Sequence, residues 1–126
     1  MTCFWNGILS ALDASDFEYI NERKTNIRDF IKMLKKRNSP MNNVLWNGDK
    51  LRKQEIEEHR EAIKEYNIDK INSGHLTSTC DSFLLLICQL FNVAIKHKYL
   101  NNEITYTNTT ASRRELHFQS THSHFA

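Results

Sequence analysis

The sequence has few of the residues that build many common sites. It holds one proline, three glycines and three cysteines in 126 residues. Gly7, Gly48 and Gly74 stand far apart, so no phosphate-cradling loop of the Walker or dinucleotide type can be written from them. Cys3, Cys80 and Cys88 are odd in number and include no C-x-x-C pair. That is a poor disulfide framework and a poor start for a paired-thiolate zinc site, so reduced thiols in a cytosolic or nuclear setting are expected. The longest apolar run, Phe83 to Cys88, is far too short to span a bilayer, and no signal-peptide pattern is read at the start. Charge of neither sign dominates. Lys plus Arg is 17, Asp plus Glu is 15, and the net charge of +2 argues against a protein that coats nucleic acid. With 40 % apolar residues, one domain with one modest core is expected over residues 1–126.

Apolar residues at Phe4, Ile8 and Leu12, with Trp5 and Leu9 beside them, predict a short helix over Cys3 to Leu12. Asp13 to Glu22 reads as a loop or a helical extension. Thr25 is the expected cap of a second helix from Asn26 to about Arg37, striped by Ile27, Phe30, Ile31 and Leu34 and stopped by Asn38-Ser39-Pro40. Met41 to Gly48 reads as a linker with an apolar plug, Val44-Leu45-Trp46. Asp49 is the expected cap of a charged helix to about Tyr66, thinly striped by Leu51, Ile56 and Ile63 and lying solvated on the domain edge. Asp81 and Ser82 are expected to cap a helix from Phe83 to about Phe91 that is apolar on nearly every side and therefore central. Alternation then predicts strands at Asn92–Tyr99, Glu103–Thr107 and Arg114–Phe118, the first two joined by a turn at Leu100-Asn101-Asn102. Helices followed by a small terminal antiparallel sheet make an α+β layout.

Three cysteines and six histidines are the candidates for chemistry. Cys3 falls at the N-terminus of the first predicted helix, where unsatisfied N–H groups and the dipole favour a thiolate. Cys80 sits beside Asp81, a negative charge that opposes ionisation. Cys88 lies in the most apolar run and reads as packing. A thiolate nucleophile needs an imidazole to move protons. His59 reads as a surface residue of the charged helix, and His97 and His117 as sheet-face residues. His122 and His124 follow the last strand, where a loop can present them at a site.

The stretch from Gly74-His75-Leu76-Thr77 through Cys80-Asp81-Ser82-Phe83-Leu84-Leu85-Leu86 to Val93-Ala94-Ile95 resembles the central helix-into-strand segment of ovarian-tumour (OTU) type cysteine proteases. Ile104-Thr105-Tyr106, Leu116-His117-Phe118-Gln119-Ser120 and His124-Phe125 are similar to that family's closing pattern, an apolar strand followed by a His-aromatic pair. Cys3-Phe4-Trp5-Asn6-Gly7-Ile8-Leu9 is similar to its opening into the catalytic helix. The order of these short motifs over residues 3–12 and 74–125 carries the resemblance, and the size suggests a small, divergent viral member. The resemblance implies a papain-related α+β fold and hydrolysis of the bond after the C-terminus of ubiquitin or a ubiquitin-like modifier. It implies Cys3 as nucleophile, His124 as general base with Phe125 behind it, and no cofactor. A monomer is expected in the cytoplasm, the host's if the protein is viral, with ubiquitin or a ubiquitin-like protein as partner and neither nucleic acid nor membrane.

The family's Asp-Gly-Asn type loop before the cysteine is replaced here by Met1-Thr2, so the oxyanion hole would rest on the Cys3 N–H. The usual third triad residue is not at its common place, and Asn108 is the candidate for orienting the imidazole. His122 competes with His124. These departures keep a second reading open, an OTU-like module that binds ubiquitin or another partner without cleavage. A metal held by His117, His122 and His124 with a thiol fits no standard zinc spacing. Nucleic-acid binding would rest on Lys32, Lys35, Lys36 and Arg37, which are better explained as charges at a helix C-terminus.

Overall fold

The computed structural model describes residues 2–71, 79–121 and 125. Helix α1 spans Thr2–Ala11 and buries the Phe4, Trp5, Ile8 and Leu12 stripe completely. The polar stretch after it is a helix, α2, Ala14–Tyr19, closed at its start by a reciprocal pair of Asp13 and Asp16. Helix α3 spans Ile27–Lys36. Its cap is Asn26 and not Thr25, because the Asn26 side-chain oxygen accepts from the Asp29 N–H at 2.8 Å.

The expected linker is a hairpin. Strand β1, Val44–Trp46, turns through Asn47 and Gly48 into β2, Asp49–Lys50. Both turn residues have positive φ, 51° and 86°, as a twisted two-residue hairpin turn requires. The charged helix α4, Lys53–Glu65, therefore starts later than expected, with Asp49 paired in the hairpin and Arg52 at the cap position. A short 3₁₀ turn follows at Ile68–Lys70.

Helix α5, Thr79–Phe91, is the centre of the domain. Its run from Phe83 to Cys88 is wholly buried, and each such large apolar side chain contributes roughly 1.5–3 kcal/mol. It lies between the sheet and the helices α2 and α4, so most of its surface is covered, and of its described side chains only Asp81, Gln89 and Leu90 are partly exposed. Strands β3, Ala94–Tyr99, β4, Asn102–Asn108, and β5, Glu115–Ser120, complete a five-stranded sheet of order β2-β1-β4-β3-β5. The sheet is mixed, not the expected terminal antiparallel one. It recruits the hairpin from the middle of the chain, and β5 lies parallel to β3. The connection from β4 crosses the end of α5 to reach that edge, tied down where Arg113 N–H donates to Asn92 O and Ala94 N–H to Arg114 O. The class is α+β. Among the described residues, no helix is long and apolar enough to cross a membrane.

Candidate functional site

Cys3 lies in the first turn of α1 and is exposed. It shares the outer face of the helix with Asn6 and Ser10, while Phe4 and Trp5 turn inward. Behind it stands an aromatic wall. The Trp5 ring meets Phe4 edge-on at 4.9 Å and Phe83 at 4.8 Å, and its Nε1–H donates to Tyr66 OH at 3.1 Å. Burial raises the Tyr66 hydroxyl above its ordinary pKa, against the opposing pull of the Trp5 bond.

Phe125 closes the wall from the other end of the chain. Its ring lies 4.9 Å from Phe4, 4.8 Å from Phe118 and 5.3 Å from the His97 imidazole. Its backbone forms an antiparallel bridge with Ser120. In the sequence, Cys3 precedes Phe4 and His124 precedes Phe125, the two rings of this contact. His75, His122 and His124 lie outside the described residues.

A second cluster gathers at the start of α5. Tyr106 OH donates to Asp81. His59 Nδ1 lies 2.8 Å from Ser82 Oγ, and His97 Nε2 lies 2.6 Å from Ser120 Oγ. Burial lowers both imidazoles, and the Asp81 charge opposes it at each. The Tyr106 hydroxyl is raised far above its ordinary value by burial first and by Asp81 next, so it stays a donor. Cys80 is buried beside Asp81. Cys88 is fully buried and its thiol is pushed up to about 12, which fits packing and not nucleophilic work.

His59 is not the surface residue expected. It sits three positions after Ile56 and four before Ile63, on the helix stripe that faces α5, and that spacing is the signal for it in the sequence. His97 is equally readable as inward-facing, being two positions after the buried Ile95. Its pairing with Ser120 depends on the parallel register, which alternation does not encode. His117 faces outward and meets Glu115 at 2.7 Å.

Asn108 cannot orient an imidazole near Phe125. It sits at the Val93 end of the sheet, donating to Val93 O at 3.3 Å and Ser112 Oγ at 3.1 Å. Tyr99 and Ser120 pair at the opposite end, roughly 20 Å away along the strands. Among the described residues, no group of three or more His, Cys, Asp or Glu could hold a metal ion. In the basic cluster, Lys35 is tied to Tyr66 O and Arg37 to Ile20 O and Glu22, so half of it holds neighbours in place.

No protein-family model matches the chain, and no curated protein or solved structure matches it.

Proposed function

We propose that this chain is an OTU-like, papain-related cysteine peptidase that cleaves the bond after the C-terminus of ubiquitin or a ubiquitin-like modifier. The contact of Phe4 with Phe125 carries the reading, because each ring adjoins one of the two residues that the chemistry needs. Cys3 is exposed in the first turn of α1, open to an incoming carbonyl.

The reaction follows from those two groups. The Cys3 thiolate adds to the carbonyl carbon of the modifier's last residue, and the Cys3 N–H stabilises the oxyanion. The C–N bond then breaks. The leaving lysine amine takes the proton held by the His124 imidazolium, and a thioester remains on Cys3. Water attacks that thioester, giving one proton to His124, and the thiolate departs from a new carboxylic acid, which loses its remaining proton to solvent. Exposed carboxylates on α4, at Glu57, Glu58, Glu61 and Glu65, offer a charged face to the body of the modifier.

The test is covalent capture by ubiquitin carrying a C-terminal electrophile. One adduct is expected with the intact chain and with Cys80→Ala, and none with Cys3→Ala. An adduct that survives Cys3→Ala moves the nucleophile elsewhere. Binding by titration without any adduct identifies a ubiquitin-binding module in place of a peptidase.

A further inference from the structure

The surface of α1 leads from Cys3 into a groove. Cys3, Asn6 and Leu9 follow one another at three-residue spacing, so each side chain neighbours the next along the helix. Cys3 and Asn6 are exposed and Leu9 is partly buried. Leu9 then lines a groove of about 660 Å³ between α1, α3 and the 3₁₀ turn. Its apolar lining comes from all three: Leu9 from α1, Ile27 from α3, and Ile68 and Ile71 from the turn and its end. Each packs against the core and each is still partly exposed. Aliphatic side chains gathered in one open hollow are the usual ground for a partner's apolar group.

The rim adds charge. Arg28 donates to Asp69 at 2.7 Å, with both side chains exposed. Asp29 accepts from the Asn26 side chain at 3.2 Å and, among the described residues, is in no ion pair. Two carboxylates thus face one guanidinium, and the surplus falls at Asp29. An aliphatic side chain with a cation beside it complements such a groove. Spacing sets its place in a substrate. Six residues of helix separate Leu9 from Cys3, a rise of about 9 Å. An extended peptide covers that distance in about three residues.

We propose that this groove is a specificity subsite for the modifier's C-terminal tail. It takes an aliphatic side chain three residues before the one whose carbonyl meets Cys3, and Asp29 takes a basic residue beside it. This deepens the peptidase reading above and rests on Cys3 as its nucleophile. Contact so far from the reacting bond serves to hold the scissile carbonyl at the thiol.

The test measures how fast ubiquitin carrying a C-terminal electrophile captures the full chain, with iodoacetamide alkylation of Cys3 as the control for fold and thiol. The double variant Leu9→Ala/Ile27→Ala should be captured about tenfold more slowly and alkylated at the rate of the intact chain. A probe whose tail residue at that place is changed to alanine should lose a similar factor against the intact chain. Against the double variant it should lose little more, because both changes remove one contact. Asp29→Asn, an exposed change that keeps the backbone cap from Asn26, should slow capture about threefold, and less at high salt. That arm decides if the double variant does not fold. Additive losses, an undiminished rate in Asp29→Asn, or capture and alkylation falling together overturn the proposal. If the intact chain is alkylated at Cys3 but never captured, the peptidase reading fails and this one with it. Capture that ignores every change in the groove overturns this proposal alone.

Discussion

Arg113 Nη2 lies 2.8 Å from Oδ1 of Asp16, a carboxylate fully removed from solvent. Arg114 takes the second oxygen at 3.0 Å and reaches Asp13 at 2.8 Å. Arg113 also donates to Phe91 O and lies 4.4 Å over the Tyr19 ring. Two neighbouring arginines ahead of β5 thus clamp the start of α2. Asp16→Ala should cost about 3 kcal/mol, the low end for breaking a buried pair, because both arginines stay partly exposed and can be rehydrated. Asp13→Ala should cost clearly less, because Asp13 is an exposed helix cap. Urea unfolding of the two variants checks the ranking. Equal losses would show that burial of Asp16 adds nothing.

Thiol reactivity should separate the cysteines. Cys3 is exposed, Cys80 is 5 % exposed and Cys88 is fully buried. A water-soluble disulfide reagent should modify one thiol quickly in the folded protein, and Cys3→Ser should remove that phase. Cys88, pushed up to about 12 by burial, should react only on unfolding. A second fast thiol would mean that the first turn of α5 opens readily.

Mild acid should weaken the fold through His59 and His97. Burial holds both imidazoles below their ordinary 6.5, against the opposing charge of Asp81. Glu55 and Glu58 also oppose it at His59. As pH falls through 6.5 the unfolded chain takes up these protons first. Stability therefore falls with pH in that window and levels off once the folded imidazoles titrate as well. Asp13, whose carboxyl is held down at about 2 by the Ser15 hydroxyl and the Asp16 N–H, acts in a separate, far more acidic range. Urea midpoints between about pH 7.5 and 5.5 should fall, and His97→Leu/Ser120→Ala should flatten the slope. A midpoint constant across that range counts against the assignment.

The hairpin turn has a conformational cost that can be isolated. Gly48 has φ of 86°, and a Cβ added there meets nothing within 4 Å. Gly48→Ala should therefore cost about 1 kcal/mol through backbone strain alone, with no clash. Far-ultraviolet spectra should stay unchanged while the urea midpoint drops. A neutral result would show that the turn relaxes without strain.

Long periodic segments are legible in the sequence alone. The stripes Phe4-Ile8-Leu12 and Phe30-Ile31-Leu34 and the apolar run from Phe83 all fall on helices with the expected buried faces. Ends move by a residue or two where side chains compete to cap, as Asn26 displaces Thr25. The hairpin at Val44 to Lys50 escapes periodicity because strands of three and two residues carry no period, although Asn47-Gly48 is a turn signal in plain view. Alternation says which side chains face inward, but not which strand lies alongside. The parallel pairing of β3 with β5, and with it the His97–Ser120 bond, is therefore beyond its reach. Of the candidate site, the exposure of Cys3 follows from its phase against Phe4 and Trp5. The Asp81–Tyr106 and His59–Ser82 contacts need the helices and sheet already assembled.

Strand β5 closes one margin of the sheet, paired to β3 along one side and, among the described residues, bridged at Ser120 along the other. Its amides should exchange with solvent through smaller openings than those of β3 and β4, which have partners on both flanks. Strand β5 therefore belongs to a weaker cooperative unit than α1, which packs into the core through Phe4 and Trp5. On the peptidase reading proposed above, activity should fade on warming while the helices still hold, because β5 detaches before α1.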